Sequence, residues 1–294
     1  MIKKLIATSI LALVSTISYA TETVKIAGSD NAAWSSLKYM PEYCKKFDLN
    51  VEYHQMPAKL TVSAMLVAVD RGEYDVVGFS STSGLIANQN GADLFIIGNT
   101  SVGGVSLVAK PGITKVADLK GKRVGSMRGS GSEMTFLMSL SKNGLTYEGD
   151  NPDVTLVNMP ITVMGQAMIQ GEVDAVVHTY PEMLEEINRG KGVAIETYNN
   201  QYRPLYATSK LGESRTKKFK LCLNDMYASL NAKNSDDLTK ASKAGVVLPT
   251  IASVSYKLKP SVANAELQEI ANFMVKTGKL KSGYTVTDKY NQSK

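Results

Sequence analysis

RGEYDVVGFSSTSGL, residues 71–85, decides the fold, because the chain repeats it as QGEVDAVVHTYPEML at residues 170–184. In both stretches a glycine and a glutamate precede an aspartate, and an apolar run follows it. Glycine commonly ends a helix, and a short apolar run bounded by turn signals indicates a buried strand. Each copy therefore predicts a helix that stops at its glycine, Gly72 or Gly171, and a strand that begins after the aspartate.

Two further pairs of segments recur in the same order. VKIAGSD (24–30) corresponds to KRVGSMR (122–128), and VEYHQMP (51–57) corresponds to VTLVNMP (154–160). The members of all three pairs lie roughly 100 residues apart, and internal self-similarity at a fixed spacing indicates repeated architecture. We therefore predict an α/β fold of two similar lobes, each with a mainly parallel sheet that helices cover on both faces.

Two crossover segments are expected to join the lobes. Residues 96–112 are strand-rich and are predicted to cross to lobe 2, and residues 197–211 are predicted to cross back. Helices are predicted over residues 33–47, 63–71, 134–143, 164–169, 216–230, 236–244 and 262–277. The last three helices should return to lobe 1. Lobe 1 then comprises residues 21–104 and 206–294, and lobe 2 comprises residues 105–205.

The first twenty residues have the pattern of a secretory signal peptide. Lys3 and Lys4 form a basic start, an apolar stretch of about ten residues follows, and Ser18-Tyr19-Ala20 supplies small residues for cleavage. A membrane anchor needs about 20 apolar residues. We therefore expect cleavage near Ala20 and a periplasmic protein.

Composition argues against several functions. The formal net charge is +6, but the basic residues are scattered, so nucleic acid is not an expected partner. Cys44, Cys222, His54 and His178 are too far apart for a zinc-type spacing, and neither a metal nor a cofactor is expected. No Gly-x-Ser-x-Gly motif favours a hydrolase. An oxidising compartment would permit a disulfide between the two cysteines, with two buried thiols as the alternative.

Small polar residues are predicted where the strands end, and ligands of open parallel sheets collect at the carboxyl ends of strands. The candidates in lobe 1 are Asn31, Trp34, Ser80, Ser81 and Thr82, and those in lobe 2 are Arg128, Gly129, Ser130, Gly131, Ser132, His178, Tyr180 and Glu182. Two lobes joined by two crossings would bring these sets together across a cleft. Such a cleft suits hinge closure on a small ligand.

VGSMRGSGSEM, residues 124–134, has the pattern of a capped helix start. Ser130 is the predicted N-cap and Glu133 the acidic member of a capping box. The N–H groups of a helix start attract anions, yet Glu133 already brings negative charge. Arg128 either offsets that charge or points into solvent. The stretch lacks the P-loop pattern and a third glycine of the dinucleotide fingerprint, so nucleotide binding is not expected.

Several candidates also have a purely structural explanation. Trp34 either packs in the core or forms a flat wall over a ligand, with Tyr180 in the corresponding place of lobe 2. Ser80–Thr82 caps a helix, contacts a ligand, or does both. Glu182 is either a ligand contact or a helix-start charge. The sequence alone leaves these alternatives open.

Four segments together resemble the periplasmic solute-binding proteins of ATP-driven importers. They are GEYDVVGFSSTSGLIANQNGAD, ADLKGKRVGSMRGSGSE, GEVDAVVHTYPEM and IANFMVKTGKLK. The most similar group serves aliphatic sulfonates, taurine, nitrate and thiamine-pyrimidine precursors. The resemblance implies a type II periplasmic-binding-protein fold, and a monomer that is not an enzyme. Such a protein binds a small molecule between its lobes and delivers it to a membrane ABC permease.

The resemblance also implies particular ligand contacts. Ser80–Thr82 and Ser130–Ser132 match the family's hydroxyl and amide contacts, and Tyr180 stands where many members have an aromatic residue before a proline. The chain departs from the pattern at Glu182, and at Glu133, where sulfonate binders often carry a histidine. The two carboxylates favour a zwitterion such as taurine, or a neutral heteroaromatic compound, over a strongly anionic ligand.

Two other functions remain open at this stage. A sensory binding protein would use the same cleft to present its ligand to a membrane receptor. An enzyme on the same fold would use His178 or His54, although the cysteine-rich motif of the related pyrimidine-synthesising enzymes is missing.

Overall fold

The computed structural model describes residues 21–29, 32–56, 62–179, 187–247 and 256–293. The predicted signal peptide at residues 1–20 lies outside the described residues, as do the candidates Asn31, Tyr180 and Glu182. Within the ranges described, no helix is long and apolar enough to cross a membrane.

The described strands form two sheets. In the first sheet the order is β11-β4-β10-β3-β1-β2, and in the second it is β7-β6-β8-β5-β9. The first sheet contains β1 (Glu22–Gly28), β2 (Leu49–Gln55), β3 (Val76–Gly78), β4 (Phe95–Gly103), β10 (Tyr202–Ala207) and β11 (Tyr256–Leu258). The second contains β5 (Val105–Ala109), β6 (Lys122–Ser126), β7 (Val154–Asn158), β8 (Ala175–Thr179) and β9 (Val193–Tyr198).

The two sheets share one topology, as the repeat predicted. In the first, β1 is parallel to both β2 and β3, while β10 runs antiparallel to β3 and to β4. In the second, β6 is parallel to both β7 and β8, while β5 runs antiparallel to β8 and to β9. The antiparallel strands β10 and β5 belong to the crossover segments, while β11, which pairs antiparallel with β4 at the edge of the first sheet, has no counterpart among the described strands of the second.

The repeated aspartate makes the same contact in both sheets. Asp75 N–H donates to the carbonyl of Lys25, whose own N–H donates to Asp75 Oδ2, both at 2.8 Å. Asp174 and Arg123 exchange the same two bonds at 2.8 and 2.9 Å. The aspartate therefore fixes the start of its strand beside the central strand of each sheet.

The predicted helices are present, with shifted ends. They are α1 (Met40–Tyr43), α2 (Val62–Asp70), α3 (Ser81–Gln89), α4 (Gly131–Lys142), α5 (Ile161–Gln170), α6 (Glu213–Asn231), α7 (Ser235–Lys243) and α8 (Asn264–Lys276). The helix expected over 33–47 is divided into 3₁₀ turns on either side of α1. Pro41 lies in the first turn of α1, where its missing N–H costs no intrahelical bond. Asn234 caps α7 as predicted, accepting the N–H groups of Asp236 and Asp237.

The two crossings between the sheets lie side by side. One passes through Gly103 and Gly104, both with positive φ, and the other through residues 199–201. Gly103 N–H donates to the Gln201 carbonyl at 3.0 Å. The buried Arg203 guanidinium donates to the carbonyls of Gly103 at 2.7 Å and Gln201 at 3.4 Å, so one side chain ties both crossings together. The exact division into lobes, at residues 105 and 205, stays a prediction.

The C-terminal helices return to the first sheet, as predicted. Helix α6 contacts β1, β2 and β4, and α8 contacts α3. A disulfide joins Cys44 to Cys222 and so ties the 3₁₀ turn after α1 to α6. Of the two alternatives left open for these cysteines, the structure contains the bond.

Candidate functional site

The start of α3 in lobe 1 is capped by Ser80. Its Oγ accepts the N–H of Ser83 at 3.3 Å and lies 3.0 Å from Thr82 Oγ1. Ser81 and Thr82 are buried, and among the described residues no acceptor pairs with the N–H group of either. Free amides of this kind are the usual state of a helix start. Capping by Ser80 is thus observed, and ligand contact by Ser80–Thr82 stays a prediction.

Tyr206, from the returning strand β10, holds this helix start in place. Its hydroxyl donates to the Ser80 carbonyl at 3.4 Å, and its ring stacks on Phe79 with 4.2 Å between centroids. A Cβ on Gly84 would lie only 2.2 Å from the Tyr206 oxygen, so glycine is needed for this approach. The chain segment that crosses back from lobe 2 therefore sets the position of the candidate contacts in lobe 1.

Trp34 packs in the core of lobe 1. It is 6% exposed, and its six-membered ring lies against the backbone of Gly78, where a Cβ would be 2.2 Å from Trp34 Cζ3. The core-packing explanation therefore describes its observed position. A role for the ring as a wall over a ligand stays a prediction.

The start of α4 in lobe 2 is capped by Ser130, as predicted. Its Oγ accepts the N–H of Glu133 at 3.0 Å. The N–H groups of Gly131 and Ser132 have no acceptor among the described residues. Arg128 is exposed, and its backbone N–H donates to Asn158 Oδ1 at 2.9 Å.

Glu133 differs from the predicted capping box. Its carboxylate does not accept the Ser130 N–H, which donates to the Met127 carbonyl instead. Oε2 accepts the N–H of Gly129 at 2.6 Å, and Oε1 accepts the Ser126 hydroxyl at 2.9 Å. Glu133 thus accepts the N–H group one residue before the expected one. The turn at Gly129, whose φ is 76°, accompanies this change of donor. Glu133 is only 5% exposed, so a carboxylate is buried beside the end of β6.

The two histidines lie in different sheets. His178 lies one residue before the end of β8, is 3% exposed, and accepts the N–H of Thr179 on Nδ1 at 3.0 Å. His54 lies in β2. Within the described part of the chain, no group of three or more His, Cys, Asp or Glu side chains could hold a metal ion.

The lobes meet through α4. Helix α4 contacts α3, and Met134 packs in a buried cluster with Tyr202 and Tyr206 of β10 in the first sheet. Near the start of the helix, the Gln201 side chain packs against Gly131. A Cβ added to Gly131 would lie only 2.3 Å from Gln201 Nε2, so the close contact needs glycine at this position. Near its end, Lys142 pairs with Glu269 of α8 at 3.4 Å.

The structure thus brings two predicted sets, Ser80–Thr82 and Ser130–Ser132, onto the starts of two helices that contact each other. Gln201 and Tyr206 were missed by sequence reasoning. Gln201 follows two asparagines in a polar crossing, and nothing in that pattern distinguishes the buried amide from its less buried neighbours.

The two helix starts differ in charge. The first turn of α3 has no acidic residue, whereas that of α4 contains the buried Glu133. A helix start carries partial positive charge. The start of α3 retains this character, and the start of α4 has its own carboxylate as counter-charge.

Comparison with known proteins gives a family and a fold. The profile of a family described as NMT1/THI5 like matches residues 42–246. No curated protein matches the chain.

Solved structures cover almost the whole chain at low identity. The periplasmic aliphatic sulphonate binding protein SsuA from Escherichia coli is 19% identical, with a TM-score of 0.70 over 92% of each chain. The alkanesulfonate-binding protein SsuA from Xanthomonas axonopodis pv. citri, bound to MOPS, is 18% identical, with a TM-score of 0.67 over 91% of this chain and 97% of that one. The periplasmic nitrate-binding protein NrtA from Synechocystis PCC 6803 is 13% identical, with a TM-score of 0.64 over 92% of this chain and 84% of that one. The predicted periplasmic-binding-protein fold is therefore confirmed.

Proposed function

Because the chain belongs to the NMT1/THI5-like family, we propose that it is an extracytoplasmic solute-binding protein of an ABC importer. It captures a small organic solute between its two lobes and delivers it to a membrane permease. The solute is a sulfonate, a taurine-like zwitterion or a heteroaromatic compound. The protein acts as a monomer, without a cofactor, and releases its solute chemically unchanged.

One observation carries this proposal: two capped helix starts from lobes of like topology lie on helices in contact. Together they offer the N–H groups of Ser81, Thr82, Gly131 and Ser132. Unpaired amides at helix starts bind acceptor groups of small ligands without any catalytic side chain. The adjacent crossings give such a molecule a hinge, and a ligand favours the closed form only through contacts that it makes better there.

Ligand titration tests the proposal. The mature protein should gain thermal stability with at least one compound from a panel of alkanesulfonates, taurine, nitrate and pyrimidines, because a ligand that binds only the folded state stabilises it. Calorimetry then gives the affinity, and small-angle scattering should show a smaller radius of gyration with the bound compound. Recovery of the unchanged compound separates binding from turnover. If no compound binds, the proposed solute class is wrong.

A matched pair of variants tests whether the ligand binds at the start of α4. Ser132→Ala removes a hydroxyl in the first turn of α4, and Ser141→Ala removes one in the last turn of the same helix. A hydrogen bond contributes about 0.5–1.5 kcal/mol net, so we expect S132A to weaken binding by roughly three- to tenfold. S141A should leave the affinity unchanged. Equal affinities for both variants and the wild type would place the ligand elsewhere.

A further inference from the structure

The carboxylate of Glu133 lies at the start of α4, beside the end of β6. Its two carboxylate oxygens accept the Gly129 N–H and the Ser126 hydroxyl, at 2.6 and 2.9 Å. These donors come from the turn after β6 and from the end of β6 itself. The Glu133 carboxylate already uses both of these donors, so neither is available to an anion bound at this strand end.

Although Arg128 and Lys279 line the same cavity as Glu133, the Glu133 carboxylate has no ion-pair partner among the described residues. No Lys, Arg or His nitrogen of the described residues lies within 4.0 Å of it, and the side chain is 5% exposed. Charges buried in this way are screened far less than surface charges. A second anion beside Glu133 would therefore be repelled, because like charges brought together at an interface disfavour binding.

We propose that Glu133 is a specificity-determining residue, which makes the lobe 2 side of the site accept a neutral or positively charged group and reject an anionic one. This inference rests on the proposed function. Discrimination between ligands commonly depends on such a repulsive element as well as on attractive contacts. The solute is then held with any acidic group directed away from α4.

Taurine and ethanesulfonate test the inference, because they share a sulfonate and a two-carbon chain and differ by one ammonium group. Wild-type protein should bind taurine more tightly by calorimetry. Glu133→Gln removes the charge and keeps an oxygen for the Gly129 N–H, and it should reduce the ratio of the two affinities by roughly tenfold or more. Glu266→Gln is the matched control, since Glu266 occupies the corresponding position in the first turn of α8 and accepts the Ala263 N–H.

The outcomes separate the two proposals. If both compounds bind and E133Q leaves their affinity ratio unchanged, Glu133 does not determine specificity, while the binding function stands. If the wild type prefers ethanesulfonate, the inference is also wrong. If neither compound nor any other solute of the panel binds, the proposed function fails and the inference falls with it.

A second variant tests the occupied anion position without any solute. Glu133→Ala leaves the Gly129 N–H and the Ser126 hydroxyl without their acceptor. Sodium formate should then raise the melting temperature of E133A by several degrees relative to sodium chloride at the same ionic strength. Wild type and Glu172→Ala should show no such difference between the salts, because Glu172 is exposed and its removal leaves no buried donor without an acceptor. Equal responses of E133A and E172A would overturn the assignment, and if E133A does not fold, the E133Q affinity ratio decides.

Discussion

At the scale of single residues, one missing side chain decides where the only tryptophan lies. Trp34 occupies the surface of β3 because Gly78 has no Cβ to exclude it. The sequence shows Gly78 inside an apolar run, and glycine within a strand often marks the close approach of another group. It does not show which group approaches, because Trp34 lies more than forty positions earlier in the chain.

Gly78→Ala should destabilise the protein. The new Cβ would lie 2.2 Å from Trp34 Cζ3, and the ring it meets is buried. Overpacking of this kind costs about 1–3 kcal/mol, which urea denaturation would measure. Trp34→Phe supplies the control, because a smaller ring should relieve the clash. The double variant should then lose less stability than the two single variants together, and simple additivity would contradict the proposed contact.

At the scale of elements, the strands could be predicted more accurately than the helix ends. Apolar runs and the repeat placed the starts of β3 and β8 directly after Asp75 and Asp174, where both strands begin, because a buried strand is apolar along its whole length. The hydrophobic pattern placed the start of α4 at Met134, whereas the capping pattern at Ser130 placed it at Gly131, where the helix begins. Polar capping turns precede the apolar face of a helix, so hydrophobic periodicity alone misses them.

The candidate site could be predicted only in part for a similar reason. Sequence pattern placed Ser130 at the cap and Glu133 one turn later, and both lie there. It could not predict that Glu133 reaches the Gly129 N–H and the Ser126 hydroxyl. That contact depends on the φ of Gly129 and on burial against the sheet, which only the assembled fold determines.

The repeated aspartates should contribute similar amounts of stability in the two lobes. Asp75→Ala and Asp174→Ala each remove an acceptor of a backbone N–H from a strand junction. Hydrogen bonds to charged groups contribute about 1.5–3 kcal/mol, and we expect a loss near the lower limit, because these sites are only partly buried. The effects should add in the double variant, since the sites lie in different sheets and share no partner.

Urea denaturation with Asp150→Ala as a control would measure these losses. Asp150 is exposed in a loop of lobe 2, so its removal should change the unfolding free energy by less than about 0.5 kcal/mol. A loss at only one of the two aspartates would show that the repeated sequence does not carry the same energetic role in both lobes.

At the scale of the whole molecule, the bond and helix that stabilise the first sheet lie away from the candidate ligand contacts. The disulfide and helix α6 secure the first sheet on the side of β1 and β2. The candidate contacts lie at the starts of α3 and α4, beside the crossings. A protein that closes on a ligand needs a hinge that can move and lobes that stay rigid. A covalent bond within one lobe is compatible with both requirements.

Removing the Cys44–Cys222 bond should therefore lower stability without weakening binding. The cysteines are 178 residues apart, so the bond closes a long loop that includes all of lobe 2 and restricts the unfolded chain. We expect the Cys44→Ala, Cys222→Ala double variant to lose about 2–5 kcal/mol in urea denaturation. A reducing agent should lower the unfolding free energy of the wild type to that of the double variant, and it should leave the unfolding free energy of the variant unchanged. Ligand affinity, measured by calorimetry well below the unfolding transition, should stay equal to that of the wild type. A variant as stable as the oxidised wild type would show that the bond does not support the fold, and a loss of affinity would show that lobe 1 needs it to position Ser80–Thr82.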